Sequence, residues 1–541
     1  MSQPKRKEET LGKEMSADEA IAYVLKEYGI KVVHSPYYVP NVIKERFKQY
    51  DINFKVMPTS REAIIMADSF ARLNNELGVA LIIPGFYVLE AMDIIALDYQ
   101  DSIPLLIISS VRNSRDIGKS RIAETRTQDD LKISLSPFVK TSERVTSIEE
   151  ITQVIEKGYK EALSNRPRPV LIEIGEELFR MKAYPLSTAG QKPEKKTPDK
   201  NTVAKAAEVL LNSKNPVIIA GYGVLSSSAT DELIQLAELL DCPVITTIRA
   251  KGAIPARHPL FAGEGLGLLA TEISHNLLTN SDTVLAIGTR FPQLSLGTTN
   301  IKFNGFIIHN NIDGEEIGKV VMPHLPVVAD TKLFLRELLN IIKSKIKEPI
   351  NRGVKELIKS SKKIIEPSKH EGIWPVDVLL LLLNNYEYSK VGFDISAPTL
   401  DLIRLPINTP GSWITTETML DAGIGITSVL YSNDEKALAI TSISSTLKML
   451  SILQSNIDKI KGKILILNDD NSSYIDTTKS ESIQIIKSGS YQNYDTILER
   501  TLGAITVKDV SHLKEALLNE SKSKVINVKI SYDYNSIILR K

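Results

Sequence analysis

The sequence predicts an α/β protein made of three consecutive doubly wound parallel-sheet domains. Short apolar runs of strand length alternate along the chain with amphipathic stretches of helical spacing, and this alternation is typical of parallel sheets covered by helices on both faces. The length of 541 residues and the hydrophobic content of 43% are sufficient for about three domains of ~150–200 residues each.

The predicted domain boundaries follow changes of composition. A stretch rich in Lys, Pro and Thr separates the first two apolar segments, and a lysine-rich helical arm precedes the last one. The prediction is a disordered tail over residues 1–15, a first domain over 16–185, a linker over 186–200, a middle domain over 201–345, a connecting arm over 346–370 and a third domain over 371–541.

The composition excludes several classes of protein. The formal net charge of +1 gives no general attraction for nucleic acid or for an acidic membrane. The single cysteine, Cys242, excludes an intrachain disulfide and a cysteine-based zinc site, and its apolar neighbours indicate a buried side chain. No apolar run reaches ~18 residues, so no membrane span is expected. A cytoplasmic protein without nucleic-acid or membrane partners is the expectation.

The third domain contains a strand–helix–strand unit with polar residues at the end of each strand. Ala437–Thr441 is the first predicted strand and is followed by Ser442-Ile443-Ser444. Ile464–Leu467 is the second predicted strand and is followed by Asn468-Asp469-Asp470. In parallel sheets ligands bind beyond the carboxyl ends of the strands, so these two segments form a candidate ligand site.

This unit resembles the corresponding unit of the thiamine-diphosphate (ThDP) enzymes of the acetolactate synthase and 2-oxoacid decarboxylase type. In that family the first strand ends in Gly-Asp-Gly and the second in Asn-Asn, and the Asp and the second Asn hold the Mg²⁺ that binds the diphosphate. The resemblance places Asn468 and Asp469 at the metal, and Ser442, Ser444 and Ser445 at the diphosphate. Ile443 stands at the position of the metal-binding Asp, and an isoleucine side chain has no atom that can ligate a metal.

The glycine segment that precedes this unit belongs to the same resemblance, which places Gly423 and Gly425 at the cofactor. In the family this segment carries a bulky apolar residue that supports ThDP in its reactive conformation. Ala422 stands at that position and is too small for the role.

The first domain resembles the pyrimidine-binding domain of the same enzymes. The resemblance rests on features such as Glu62-Ala63 with Ala67-Asp68, Asp101-Ser-Ile-Pro104 and Arg166-Pro-Arg-Pro169. It places Glu62 at the catalytic glutamate that hydrogen-bonds the aminopyrimidine ring, and Gly85 and Gln128 at the cofactor. The alternative for Glu62 is an acidic residue that merely favours a helix N-terminus.

Large side chains occupy the turns that carry glycines in the family. His34-Ser-Pro-Tyr-Tyr38 follows the first strand without a glycine, and Phe86-Tyr87 follows Gly85. Such side chains would obstruct a cofactor that must approach the backbone closely. Lys140 is interpreted as a solvated surface lysine.

The middle domain resembles the central domain of the family, which holds FAD in acetolactate synthases and ADP, CoA or nothing in relatives. Gly221 and Gly223 lie in a turn after a predicted strand and could admit a nucleotide, and Arg290 could bind its phosphate. A structural turn explains the two glycines equally well.

Three hypotheses for the function remain open. The first is a catalytically degenerate paralogue, a pseudoenzyme that acts as a structural or regulatory subunit in a homodimer, a tetramer or a hetero-oligomer with an intact homologue. Since the family forms its active sites between two chains, Glu62 could then complete a site on the partner. The second is an active ThDP- and Mg²⁺-dependent carboligase acting on pyruvate or another 2-oxoacid. The third is a protein that binds a nucleotide or CoA through its middle domain.

Overall fold

The computed structural model of the protein describes residues 12–188, 190, 193–267, 269–296, 303–361, 365–369, 371–476, 484–490, 493–519 and 523–531. The chain divides into two compact units, Met1–Glu194 and Lys195–Lys541. Among the described residues, no helix is both long enough and apolar enough to cross a membrane.

The first unit contains a six-stranded parallel sheet flanked by helices. Its strands are β1 Met15–Ser16, β2 Val32–Pro36, β3 Asn53–Met57, β4 Gly78–Ile82, β5 Leu105–Val111, β6 Thr141–Val145, β7 Val170–Gly175 and β8 Lys182–Ala183. Its α-helices are α1 Ala17–Glu27, α2 Asn41–Lys48, α3 Ser60–Asn74, α4 Met92–Asp101, α5 Asp130–Leu135 and α6 Ile151–Leu163.

The strand order of this sheet is β3-β2-β4-β5-β7-β6, and β1 pairs with β8 in a separate two-stranded sheet. The central strands β4, β5 and β7 are buried along their whole length, as expected for strands covered by helices on both faces. The order reverses between β2 and β4, and such a point opens a crevice at the carboxyl ends of the strands.

The second unit contains two further parallel sheets of six strands each. Its strands are β9 Pro216–Ala220, β10 Val244–Thr246, β11 Phe261–Glu264, β12 Thr283–Ile287, β13 Phe306–Asn311, β14 Leu325–Val328, β15 Lys390–Phe393, β16 Trp413–Ile414, β17 Ala437–Ser442, β18 Lys463–Asn468, β19 Asn471–Asp476, β20 Gln484–Ser490, β21 Ile505–Val507 and β22 Val525–Lys529. Its α-helices are α7 Lys200–Asn212, α8 Tyr222–Ser226, α9 Thr230–Leu240, α10 Glu272–Thr279, α11 Gln293–Leu296, α12 Thr331–Lys345, α13 Val354–Ser360, α14 Pro375–Asn385, α15 Ile424–Ser432, α16 Ile443–Lys448, α17 Leu450–Asn456, α18 Tyr494–Leu502 and α19 Val510–Leu518.

The two sheets have the orders β11-β10-β9-β12-β13-β14 and β16-β15-β17-β18-β22-β21, and β19 and β20 form an antiparallel hairpin. The three parallel six-stranded sheets confirm the predicted α/β fold class. Strands β17 and β18 pair with Ser442 opposite Leu467, so the polar segments that follow the two strands lie at the same edge of the sheet.

The predicted domain boundaries can be compared with the positions of the helices and strands. Residues 1–11 of the predicted tail lie outside the described residues, and Met15 pairs with Ala183 in β1. Lys200, at the end of the predicted linker, begins α7. Cys242 is fully buried in the core of the sheet that contains β9.

Candidate cofactor and catalytic sites

The serines that follow β17 are bound to a carboxylate of the same chain. The Ser442 hydroxyl accepts a hydrogen bond from the backbone N–H of Ser445 at 3.2 Å, which caps α16. The same hydroxyl donates to Asp421 Oδ1, and the Ser445 hydroxyl donates to that oxygen at 3.3 Å. Both serines are buried. We call Asp421, Ser442 and Ser445 the serine–aspartate cluster.

Asp421 is held in place from several directions. Its backbone has a φ of 52°, in the left-handed region that a non-glycine residue adopts only at a free-energy cost. Its carbonyl accepts a hydrogen bond from Lys448 Nζ at 2.9 Å. Burial raises the pKa of its carboxyl group, and the nearby Asp469 carboxylate raises it further, whereas the Ser442 hydrogen bond and Lys448 lower it. The Asp421 carboxyl group therefore has two hydroxyl donors and a nearby lysine as its partners.

The residues at the predicted metal position have other partners. Ile443 is 2% exposed and begins α16, with the half-buried Ser444 after it. Asn468 donates to Asp495 and to Asn527, each at 3.0 Å. Its Oδ1 accepts from the backbone N–H two residues later, at 2.9 Å. Asp469 accepts from the backbone N–H of residue 471 at 3.2 Å and from the hydroxyl of residue 473 at 2.5 Å.

Gly423, just before α15, and Gly425, in the first turn of that helix, are explained by close packing. A Cβ atom on Gly425 would lie 2.8 Å from the backbone nitrogen of Phe393, and one on Gly423 would lie 2.6 Å from the Met449 side chain. The N–H of Gly425 donates to Asp394 Oδ1 at 3.0 Å. Asp394 ends the strand region of β15, and burial raises its pKa to about 6.

In the first unit, Glu62 lies in the first turn of α3. Thr59 caps this helix, since its hydroxyl accepts the Glu62 backbone N–H at 3.2 Å, and the Glu62 side chain is buried, with the residue only 4% exposed. The capping geometry is compatible with both interpretations of Glu62, as the catalytic glutamate or as a helix-favouring acid.

Four aromatic side chains lie together at the ends of β2 and β4. The ring centroids of Tyr37 and Tyr38 are 5.4 Å apart, those of Tyr38 and Tyr87 5.0 Å, and those of Phe86 and Tyr87 5.7 Å. The Tyr38 hydroxyl also hydrogen-bonds Ser60. These rings, the aromatic cluster, therefore bridge the two strands at the point where the strand order reverses, which is the usual place for a ligand in this kind of sheet.

Gly85 and Gln128 line one cleft next to this cluster. The cleft lies at the carboxyl ends of β4, β5 and β7 and is open to solvent. Gly85 is required by packing, since a Cβ atom there would lie 2.0 Å from the Ser110 carbonyl oxygen. Gln128 Nε2 donates to the carbonyl of Arg112 at 2.9 Å.

Lys140 is not a solvated surface lysine, and that interpretation is wrong. Its ammonium group donates to the carbonyls of Glu161 and Ser164, both at 2.7 Å, and to the Ser164 hydroxyl at 3.1 Å. Because these carbonyls end α6, which has no further turn to bond them, the lysine caps the helix C-terminus. The sequence gives no local signal for this contact, which joins residues more than 20 positions apart.

The glycine turn of the middle domain is closed by its neighbours. Gly221 and Gly223 donate their N–H groups to Ile287 and Gly288 at 2.8 and 2.9 Å, and Cβ atoms on these glycines would lie within 2.6 Å of Gly288. The Arg249 guanidinium lies 3.6 Å from the centroid of the Tyr222 ring. The turn does not fit a phosphate-binding loop, because the amide groups that a phosphate needs are already bound.

Arg290, the predicted phosphate ligand, donates to the Thr418 hydroxyl at 2.7 Å. The adjacent Glu417 accepts hydrogen bonds from the Ser295 hydroxyl and from the backbone N–H of Ile248. Residues 417–418 thus contact Arg290, Ser295 and Ile248 of the middle domain.

Comparisons with known proteins match the first and the middle parts of the chain to separate family models. Residues 15–133 match the family model described as the N-terminal TPP binding domain of thiamine pyrophosphate enzymes, and residues 203–338 match the model of their central domain. Thiamine pyrophosphate is ThDP. The chain is also 32% identical over 295 residues to the acetolactate synthase large subunit of Buchnera aphidicola subsp. Schizaphis graminum. The chain belongs to the ThDP-dependent enzyme family.

Other matches agree with this assignment. A probable acetolactate synthase large subunit of Methanocaldococcus jannaschii is 32% identical over 338 residues, which is 60% of this chain and 56% of that protein. The match to the Buchnera protein covers 51% of this chain and 49% of that protein, so the chain spans about half the length of these relatives. Benzoylformate decarboxylase from Polynucleobacter necessarius has the same fold, with a TM-score of 0.80 at 18% identity over 96% of this chain and 100% of that one.

The family's metal does not fit the residues that this ThDP-family chain presents. Mg²⁺ requires oxygen ligands in near-octahedral geometry, and the position of the family's Asp carries an aliphatic side chain. The described residues contain no group of three or more His, Cys, Asp or Glu side chains that could hold a metal ion.

The sequence did not predict a role for three acidic residues that lie near the sites. Asp421 precedes Ser442 by 21 residues, and no pattern links the two. Asp394 directly follows strand β15, and no residue pattern marks it as a site residue. Glu173 gave a usable signal, because it interrupts the otherwise apolar strand Val170–Gly175, and a carboxylate inside a buried parallel strand requires a partner.

Proposed function

We propose that this chain is a catalytically degenerate, acetolactate-synthase-like subunit that does not bind Mg²⁺–ThDP in its own diphosphate domain. The observation that carries the proposal is the pairing of a buried Ile443 at the metal position with the serine–aspartate cluster beside it.

The proposed loss of metal binding follows from missing ligands. In this family a Mg²⁺ ion links the protein to the diphosphate, and Ile443 removes one of its two side-chain ligands. Asn468 is buried and makes three hydrogen bonds inside the protein. A metal would bind Asn468 through Oδ1, which already accepts the backbone N–H of Asp470, so recruiting it would compete with that hydrogen bond.

The proposed loss of diphosphate binding follows from the charges around the serines. The hydroxyls of Ser442 and Ser445 already donate to Asp421. A diphosphate brought to the same hydroxyls would meet two carboxylates, Asp421 and Asp469, without a metal ion to offset the repulsion. The internal carboxylate and an external anion therefore compete for the same donors.

The test is calorimetric titration of the purified chain with ThDP, with and without Mg²⁺. We expect no Mg²⁺-dependent binding by the wild-type chain. The variant Ile443→Asp combined with Asp421→Ala restores a ligand and removes the competing anion, so it should bind more tightly than the wild type, whereas the control Ile443→Leu should not. Micromolar, Mg²⁺-dependent binding by the wild-type chain would refute the proposal.

The subunit role rests on Glu62 and on an intact homologue as partner. If the first unit completes an active site on that partner, Glu62→Gln should lower the activity of the mixed assembly. Glu45→Gln, at an exposed position on α2, is the matched control. An assembly whose activity is the same with Glu62→Gln would leave this chain with a structural role only.

The alternative is an active carboligase on pyruvate or another 2-oxoacid. It is favoured by the extent of the similarity to an acetolactate synthase large subunit of Buchnera aphidicola subsp. Acyrthosiphon pisum, which is 29% identical over 442 residues, 75% of this chain and 73% of that protein. Turnover of pyruvate by the purified chain that disappears with Glu62→Gln would establish it.

A further inference from the structure

Basic residues collect at one edge of the middle domain, in the segment that joins the end of α12 to α13. Residues 343–361 contain six basic and two acidic residues, although the whole chain has a formal net charge of only +1. A local excess of positive charge on a nearly neutral chain is a candidate binding surface for an anionic partner. The basic residues are Lys343, Lys345, Lys347, Arg352, Lys355 and Lys359.

Arg352 fixes this segment at the amino ends of the strands of the middle sheet. Its Nη2 donates to the Ser213 carbonyl at 2.9 Å, and its backbone N–H donates to Asp241 Oδ2 at 2.6 Å. Ser213 directly follows α7 and Asp241 directly follows α9, so each lies just before a strand of the sheet, β9 or β10. Ligands bind at the other, carboxyl edge of such a sheet. The basic segment therefore lies on the side of the middle domain that the glycine turn does not occupy.

Five exposed lysines at this edge are not engaged by their neighbours. None of them makes a side-chain hydrogen bond or an ion pair within the part of the chain that the structure describes. The acidic residues at the same edge, Glu238, Asp241, Asp282, Glu348 and Glu356, are fewer than the basic residues even when Lys343 and Arg352 are counted, so positive charge remains in excess. We call the five residues the lysine edge: Lys214, Lys345, Lys347, Lys355 and Lys359.

The helix dipole explains only part of this pattern. Lys343 and Lys345 lie in the last turn of α12 and Lys359 in the last turn of α13, where a cation is favourable. Lys355 lies in the first turn of α13, where a cation is unfavourable, and Lys347 lies between the two helices. Local helix stability therefore does not account for Lys347 and Lys355.

One apolar side chain is exposed among these lysines. Leu357 is 47% exposed and lies on α13 between Lys355 and Lys359. The other apolar side chains of α13, Val354 and Ile358, are buried in the core of the middle domain. The surface therefore combines several cations with a single apolar contact.

We propose that the lysine edge binds an acidic segment of another protein, whose carboxylates pair with the lysines and whose apolar side chain contacts Leu357. Nucleic acid fits this surface less well, because residues 343–361 contain no aromatic side chain for base stacking and their arginine is bound inside the protein. An anionic membrane also fits less well, because α13 has no further apolar face to insert. The surface does not involve the ThDP site, so this proposal and the proposed loss of cofactor binding fail in different experiments.

Binding of the full chain to different anionic probes tests the class of partner. The probe is a short peptide of glutamates around a central leucine, and it is compared with the same peptide carrying serine in place of leucine, with a single-stranded RNA and with phosphatidylserine vesicles. Fluorescence anisotropy for the peptides and the RNA, and co-sedimentation for the vesicles, should show that the leucine peptide binds most tightly. Its affinity should fall as the salt concentration rises, because exposed charges are screened. No binding of this peptide at low salt, or tighter binding of the RNA or the vesicles, would overturn the proposal.

Charge variants locate the peptide on the lysine edge. Lys347→Gln combined with Lys355→Gln should weaken the binding of the leucine peptide about three- to tenfold, as expected for the loss of two exposed ion pairs. The control combines Lys31→Gln with Lys48→Gln, two exposed lysines of the first unit. It changes the net charge equally and should leave the affinity unchanged. Equal effects of the two double variants would show that only net charge matters and would overturn the assignment.

Leu357→Ser tests the apolar contact. It should weaken the binding of the leucine peptide and leave that of the serine peptide unchanged, since a pairwise contact is lost only when both partners are present. All the substituted side chains are exposed, and thermal unfolding checks that each variant folds. Equal effects on the two peptides would overturn the contact with Leu357. Salt-dependent self-association of the wild-type chain that disappears in the Lys347→Gln, Lys355→Gln variant would assign the surface to a second copy of the chain and would also overturn the proposal.

Discussion

The buried charge cluster behind Glu62 offers the sharpest test of how α3 is held. Arg72, at the far end of the helix from Glu62, contacts Asp68 at 2.5 Å, Asp98 at 3.2 Å and Asp101 at 2.9 Å. All four side chains are at most 3% exposed. Replacing Arg72 by Met would leave three carboxylates buried without a cation, which we expect to lower the free energy of unfolding by ~3–5 kcal/mol.

For the first unit, Met1–Glu194, this loss corresponds to a fall in melting temperature of about 6–20 °C. The matched control is Arg61→Met on the same helix, whose pair with Asp93 at 2.8 Å is partly exposed and is worth about 0–1 kcal/mol. Scanning calorimetry, with hydrogen exchange of the α3 and α4 peptides, would measure both variants.

The pH dependence identifies the cause of the loss. Burial and the Asp68 carboxylate raise the pKa of Asp98, whereas Arg72 lowers it. Without Arg72 this folded-state pKa rises further above the unfolded value, so the folded state binds a proton more tightly and the variant should regain stability as the pH falls. A loss no larger than that of the control, or one that is independent of pH, would refute the electrostatic account.

Three further predictions concern single contacts. Lys140→Met should lower the free energy of unfolding by ~1–3 kcal/mol, because the carbonyls at the end of α6 lose a partly buried donor. Lys157→Met, at an exposed pair, is the control, and equal effects of the two variants in urea unfolding would contradict the capping role. Gly85→Ala should destabilise the first unit by ~1–3 kcal/mol, because the Cβ of the alanine would lie 2.0 Å from the Ser110 carbonyl oxygen. The control is Gly314→Ala, whose Cβ would lie 3.6 Å from the nearest atom, and it should have little effect in the same assay. The pKa of Asp394 is about 6 in the folded state, above its usual value near ~3.9. The stabilisation by protonated Asp394 is therefore fully present below pH ~3.9 and is lost as the pH rises to about 6. Over this pH range the free energy of unfolding of the wild type relative to Asp394→Asn should fall by about 3 kcal/mol, and a difference between the two proteins that does not change with pH would count against the raised pKa.

Much of the fold followed from the sequence because its signals are local. The apolar runs that form β4, β5 and β7 are short and flanked by helical periodicity, and strands buried on both faces are predominantly apolar. The strand–helix–strand unit around Ser442 was recognised from its spacing, and the structure has β17 and β18 paired there. The substitution at Ile443 could be interpreted because an aliphatic side chain has no atom that can ligate a metal, whatever its surroundings.

The contacts that define the sites could not be predicted in the same way. Lys140 bonds the end of α6 across more than 20 residues, and Asp421 reaches Ser442 across a comparable distance. Hydrogen bonds of this kind depend on how strands and loops are brought together, and no periodicity in the sequence encodes them. The sequence indicated bulky rings after β2 and β4, but their mutual contact depends on the two strands being neighbours in the sheet.

The loss at Ile443 and the presence of Asp421 are physically coupled. Buried serine hydroxyls at the start of a helix require an acceptor, and in the absence of a diphosphate Asp421 supplies one. Ile443→Asp alone would place a third carboxylate beside Asp421 and Asp469, and the mutual repulsion would oppose ionisation of all three. We therefore expect this single variant to bind ThDP no better than the wild type even with Mg²⁺ present, and only the double variant with Asp421→Ala to gain affinity. If the single variant alone gained Mg²⁺-dependent binding, Asp421 would not be the competing anion, and the serine–aspartate cluster would be a consequence of packing.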